Sequence, residues 1–183
     1  MMAGPDTRTP VAIRAARPDD AGALARIYAQ PEVARQTLGL PHTDTAEWHR
    51  RIAGHDPAQG RWLLVAVDGE DRVLGQATLQ RHPQARRAHA GWLALMVDRE
   101  VHGRGVGRAL MRHLLDLADH WLGLRRMELE VNADNTAAIA LYQQLGFVVE
   151  GTLRGYALRD GQLIDVLTMA RLRPAPGGPE SFP

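Results

Sequence analysis

The residues best placed to do chemistry are three alternating glycines, Gly103, Gly105 and Gly107, set between the apolar run Leu95-Met96-Val97 and an amphipathic stretch beginning at Val106. Glycine has no Cβ, so its backbone can adopt φ > 0 and approach a ligand closely. The first amides of a helix lack an intrahelical acceptor, and the helix dipole adds partial positive charge there. A strand, a glycine turn and a helix start are therefore expected to form an anion cradle for a phosphate-bearing ligand. Two phosphate loops do not fit. A Walker loop needs Gly-Lys-Ser/Thr, and all 22 basic side chains are arginine. A dinucleotide fingerprint, G-x-G-x-x-G/A, meets Arg108 when counted from Gly103 and Leu110 when counted from Gly105, although Glu128 and Glu130 lie at a distance suited to a ribose contact.

A third pattern does fit. His102-x-x-Gly105-x-Gly107 resembles the Q/R-x-x-G-x-G/A loop of the GNAT acetyltransferases, with His102 in place of the usual Gln or Arg. Downstream, Leu129-Glu130-Val131-Asn132-Ala133-Asp134-Asn135, Ala138-Ile139-Ala140-Leu141-Tyr142 and Leu145-Gly146-Phe147 resemble the second signature of that family. The resemblance implies an α/β fold with a twisted, mixed, mostly antiparallel sheet and helices on both faces, and acetyl-CoA as co-substrate. It also implies site residues. The backbone of Leu95, Met96 and Val97 would hold the pantetheine and polarise the thioester. Gly103, Arg104, Gly105, Val106, Gly107 and Arg108 would hold the pyrophosphate. Asn135 would hydrogen-bond the arm, against the plainer reading of a helix N-cap. Tyr142 would protonate the departing thiolate, a general-acid role.

The general base is less determined. Glu130 stands twelve residues before Tyr142, as does the carboxylate that serves as base in the family's ribosomal-protein acetyltransferases. Within an apolar strand, desolvation is expected to raise its pKa; the plainer reading is a solvated glutamate paired with Arg126. Glu128 shares its strand face, His89 has a suitable intrinsic pKa, and a water chain is the remaining alternative.

The acceptor side is expected in the segment from Gln30 to His42. It has few acids, which disfavours a polycationic acceptor. Leu38, Leu40 and Pro41 suggest an apolar pocket, with His42 beside it and Arg35 available to a carboxylate. Gln30-Pro31-Glu32-Val33, Thr37-Leu38, Pro41-His42, Glu150-Gly151-Thr152, Tyr156-Ala157-Leu158-Arg159 and Met169-Ala170-Arg171 resemble a branch of the family that acetylates the α-amine of free apolar amino acids, although Thr stands there at the position of Glu130. That resemblance implies a small-molecule amine acceptor attacking the thioester directly in a ternary complex. Rival readings are a protein N-terminal acetyltransferase, an acetyl-CoA-binding protein without turnover, and a dinucleotide oxidoreductase.

The elements that must position these residues follow from periodicity. Strands are expected at Val11–Arg17, Arg61–Val67, Val73–Gln80, Ala88–Val97, Met127–Val131, Phe147–Leu153 and Leu163–Ala170. One helix opens at Pro18-Asp19-Asp20 and stops at Pro31. A second starts at the capping pattern Asp44-Thr45-Ala46-Glu47. A third carries the core stripe Val106, Leu110, Leu114, Leu117 and Trp121, and a fourth spans Asn135–Leu145. Asp116, Asp119 and His120 are expected on the solvent side of the third helix, the pairs Arg86-Arg87 and Arg125-Arg126 on solvated faces, and the four tryptophans mostly in the core.

The 183 residues suit one domain, placed at 10–173, with a disordered N-terminus at 1–9 and a Pro/Gly-rich disordered tail at 174–183. A net charge of +1 gives no general pull toward nucleic acid or an anionic membrane. No apolar run reaches the ~18 residues of a membrane span, and no signal-peptide h-region is visible. The expectation is a cytoplasmic enzyme, with a homodimer left open. The chain has no cysteine, which excludes disulfides and a Cys nucleophile. No two of its eight histidines have H-x-x-x-H spacing, so no metal is expected.

Overall fold

The computed structural model describes residues 11–40 and 42–173. Pro41 and the two expected disordered ends, 1–9 and 174–183, lie outside the described residues. The strands are β1 (Ala12–Ala15), β2 (Arg61–Val67), β3 (Val73–Arg81), β4 (Ala90–Val97), β5 (Arg126–Asn132), β6 (Val148–Arg159) and β7 (Gln162–Leu172). The α-helices are α1 (Ala21–Tyr28), α2 (Pro31–Ala34), α3 (Thr45–Ala53), α4 (Val106–Asp116) and α5 (Thr136–Gln144). The strands form one mixed sheet in the order β1-β2-β3-β4-β5-β7-β6. It is mostly antiparallel, and β4 and β5 are its parallel pair.

Two compact units emerge. Of the described residues, the first comprises those up to Asp56 with Trp62–Thr78 and Leu95–His113; the second comprises Pro57–Arg61, Leu79–Ala94 and those from Leu114 to 173.

In the first unit, Leu24, Ile27 and Tyr28 of α1 and Trp48 and Ile52 of α3 pack with Leu63, Val65 and Val67 of β2. Leu64 and Ala66, which alternate to the other face of β2, are buried as well, so that strand is covered on both sides. Asp20 fixes the step from β1 to α1. It is buried, takes the Arg17 amide at 2.6 Å, and accepts from the two terminal nitrogens of Arg14 at 2.8 and 2.9 Å. Pro31 does not end the first helix. That helix stops at Tyr28, and Pro31 opens α2, where its missing N–H costs no hydrogen bond. Gly75 is set by backbone crowding, because a Cβ there would lie 2.7 Å from the Met96 carbonyl oxygen.

In the second unit, Met127, Leu129 and Val131 of β5 are buried, with Leu114, Leu124 and Phe147 also in the core. The alternate face of β5 is open, with Glu128 half-buried and Glu130 exposed. Three sequence expectations fail here. Trp121 is 79% exposed rather than core: α4 gives way to a π-helical turn over Leu117–Trp121, and the extra residue per turn rotates Trp121 off the apolar stripe. Asp119 is largely buried rather than solvated, taking Arg171 in a two-pronged pair at 2.9 and 2.8 Å. Arg126 and Arg87 are not merely solvated, since both reach Glu128.

Candidate active site

In the first unit, β4 ends at Val97 and Asp98 turns the chain into a one-turn helix over Arg99–Val101. The Asp98 side chain caps that turn by accepting the Glu100 amide at 3.1 Å. It is 1% exposed and also accepts Gln30 Nε2 at 2.9 Å and Arg26 at 3.1 Å. Burial alone would raise its carboxyl, but these donors outweigh that and hold it below the usual range. Gly103 and Gly105 have φ of +75° and +85°, the left-handed region that glycine tolerates. Gly105 accepts the Ala109 amide at 2.9 Å and so begins α4. Gly107 lies inside the first turn of α4, where no special φ is required of it. Residues 102 to 104 are exposed, and His102 Nε2 sits 3.0 Å from the Val97 carbonyl.

The segment in which the acceptor side was expected also belongs to this unit. The Thr37 hydroxyl is 3.1 Å from that of Tyr28 and 3.0 Å from the Ala34 carbonyl. Gly39 packs so tightly on the Tyr28 hydroxyl that a Cβ would lie 1.4 Å from it. Leu38 and Leu40 are 59% and 80% exposed, Arg35 is exposed, and His42 is exposed with φ of 69°. Leu38 and Leu40 therefore stand open, in place of the pocket expected from the sequence, while Val33 is buried.

In the second unit, the parallel pairing covers only Ala90–Trp92 with Arg126–Glu128. β5 continues to Asn132 against β7. Asn135 caps α5, its side chain accepting the Ala138 amide at 3.2 Å. Tyr142 is 6% exposed, stacks in tilted fashion on Phe147 at 6.0 Å, and burial pushes its phenol up to about 12. The neutral form, which carries the proton to give, is thus strongly favoured.

Glu130 is exposed rather than enclosed by the apolar strand, and its carboxylate accepts from the Tyr156 hydroxyl. It is not paired with Arg126, which takes Glu128 and Glu150 instead. Burial would raise Glu128, but hydrogen bonds from Arg126, Arg87 and His82 bring it down to about 2, where it holds no proton to exchange at neutral pH. His89 precedes β4, and its carbonyl takes the Arg125 amide at 2.8 Å. In the parallel register it lies five residues before Glu130 along the strands, roughly 16 Å at the strand rise. His89 and Glu130 therefore cannot serve the same reacting atom. Trp92, Glu128, Glu130, Glu150 and Thr168 line a cavity of about 260 Å³ on the open face.

Residues 23–147 match the model of the Acetyltransferase (GNAT) family, more than half of the chain. The chain belongs to the GNAT acetyltransferase family. It is 39% identical to the L-amino acid N-acetyltransferase AaaT of Escherichia coli, over 89% of this chain and 98% of that one. The acetyltransferase YncA of Salmonella typhimurium, solved with its cofactor acetyl-CoA, superposes with a TM-score of 0.80 at 22% identity, covering 95% of this chain and all of that one. A ribosomal-protein-alanine N-acetyltransferase from Brucella melitensis is 28% identical with a TM-score of 0.76, covering 88% of this chain and 99% of that one. This GNAT chain is an N-acetyltransferase that uses acetyl-CoA.

The residues present fit that co-substrate. The GNAT loop offers left-handed glycines, and a Cβ at Gly103 would meet nothing within 4 Å, so the loop surface is open to a ligand. Arg104 adds exposed positive charge beside the start of α4, which favours a diphosphate. Sequence reasoning passed over the Gln30–Asp98 link and the Tyr156–Glu130 contact. Asp98 carried a faint signal, a capping residue directly after an apolar strand; the partners at the start of α2 and on β6 carried none, because pairing across such separations leaves no trace in spacing.

Proposed function

We propose that this chain acetylates the α-amine of free apolar L-amino acids by direct attack on the thioester of acetyl-CoA in a ternary complex. The observation that carries the reading is the 39% identity to AaaT across 98% of that enzyme. In this reading the amides from Gly103 to Arg108 take the diphosphate, and the backbone at Leu95, Met96 and Val97 takes the pantetheine with Asn135. Glu130 accepts the proton of the acceptor ammonium. The freed amine forms the N–C bond, the C–S bond breaks, and Tyr142 gives its proton to the leaving sulfur. Glu130 is favoured over His89 by its place four residues further along the parallel strands than Arg126, toward the strand ends that lead into the signature segments. Arg35 is assigned to the acceptor carboxylate, with Leu38 and His42 beside the side chain. Without a cysteine, no acetyl-cysteine intermediate forms on the protein, which supports the ternary complex. A cytoplasmic location, resting on the need for acetyl-CoA, belongs to the same proposal. So does a homodimer, supported by exposed Leu158 and Leu163 on the β6–β7 hairpin.

The test is turnover of acetyl-CoA with phenylalanine, phenylalanine amide and a peptide bearing N-terminal phenylalanine, together with Glu130→Gln. The reading expects the free amino acid to be preferred. It also expects Glu130→Gln to slow the reaction about 10²-fold or more, with the deficit shrinking as rising pH deprotonates the amine without help. Equal turnover of all three acceptors favours the second reading, a protein N-terminal acetyltransferase. That reading draws on the open stance of Leu38 and Leu40 and on the likeness to the Brucella enzyme.

A further inference from the structure

The segment read as acceptor-binding and the loop read as acetyl-CoA-binding begin at residues that hold one another. Gln30 Nε2 donates to Asp98 Oδ1 at 2.9 Å, and Gln30 Oε1 accepts the Arg99 amide at 3.0 Å. Both ends of the Gln30 amide are engaged, so its orientation is fixed. The Gln30 backbone carbonyl accepts the amides of Val33 and Ala34 at 3.0 and 2.8 Å, which sets the start and direction of α2 and of the segment that follows. Glu32 on α2 adds a second tie, meeting Arg99 at 3.1 Å. On the other side, Asp98 follows Val97 directly and leads through one turn into Gly103. Asp98 is nearly fully buried, and one of its oxygens accepts both Gln30 and the Glu100 amide, while the other takes Arg26. A buried carboxylate with part of its donors withdrawn is costly. Shifting either segment alone would break these bonds, so the two segments share one arrangement.

We propose that Gln30, acting through Asp98, is a positioning residue that couples the acceptor segment to the acetyl-CoA loop, so that each ligand raises the affinity for the other. The inference rests on the reading of those two segments given under Proposed function. Coupling of this kind is reciprocal: the factor by which phenylalanine tightens CoA equals the factor by which CoA tightens phenylalanine.

The experiment uses CoA and phenylalanine, a pair that cannot react, and measures the CoA dissociation constant by calorimetry with and without saturating phenylalanine. The full chain should show a tightening of about fivefold or more. Gln30→Met keeps the length of the side chain and removes both hydrogen bonds. It should still bind CoA alone and phenylalanine alone, with the coupling factor falling toward one. Asp98→Asn retains an oxygen for Gln30 and Glu100 but turns an amide donor toward Arg26 in place of the accepting oxygen, so it gives up the Arg26 pair and should keep the coupling. Undiminished coupling in Gln30→Met overturns the proposal while leaving the acceptor reading intact. Loss of coupling in both variants marks general loosening of the loop and also overturns it. If the full chain binds CoA but not phenylalanine, the acceptor reading itself fails and the proposal falls with it.

Discussion

Replacing Tyr142 by phenylalanine isolates the acid role because the surroundings are indifferent to the change except at one atom. The ring is buried and packs on Phe147 at 6.0 Å with an interplanar angle of 58°, contacts that phenylalanine reproduces. Burial alone shifts the phenol, so losing the hydroxyl should change stability by no more than about 1 kcal/mol, a Tm change of at most about 2–4 °C for a chain of this size. Catalysis should suffer far more. General-acid assistance is worth about 10²- to 10⁴-fold, or about 2.7–5.5 kcal/mol in the barrier. Because the phenol is pushed up to about 12, the wild-type rate should show no descending limb from Tyr142 until the pH nears that value. The same shift has a stability consequence. A pKa raised above the unfolded value of 10 contributes stability that is whole below pH 10 and is lost as pH rises through about 12, so wild type should lose ground to Tyr142→Phe in that range. The assay is single-turnover thiol release from acetyl-CoA, which keeps product release from masking the chemical step. A single-turnover rate in Tyr142→Phe equal to wild type, with acetyl-CoA binding unchanged, refutes the assignment.

Gly107→Val places a branched side chain in the first turn of α4, where valine's helix propensity is no worse than glycine's. The protein should stay folded while the KM for acetyl-CoA rises tenfold or more, on the order of one blocked hydrogen bond to a charged group; titration of the folded variant with acetyl-CoA checks this. Glu128→Gln should destabilise the fold by about 1–2 kcal/mol at neutral pH, less than the full shift implies because Arg87 is half-exposed. A carboxyl lowered from 4.5 to about 2 contributes stability above pH 4.5 that is lost as pH falls toward 2, so denaturation curves of wild type and variant should converge in that window.

The sequence by itself determined the elements and the chemistry they bear. β2 spans Arg61–Val67 as its periodicity predicts, Asn135 caps α5, and the turn at Asp160-Gly161 joins β6 to β7. These are local matters of side-chain period, capping and φ, and local rules are written in neighbouring residues. The two GNAT signatures were legible for the same reason, since each is a contiguous backbone device. Tertiary structure decided what each side chain meets. It paired Arg126 with Glu128 and Glu150 and left Glu130 exposed with Tyr156, although all three acids alternate with apolar residues or lie beside them in the sequence. It turned Trp121 outward through a single π-helical turn and drew Asp119 inward to Arg171. It also joined Gln30 to Asp98, 68 residues apart. A charge partner or a buried hydrogen bond depends on where distant segments cross, and period and propensity carry no information about that crossing.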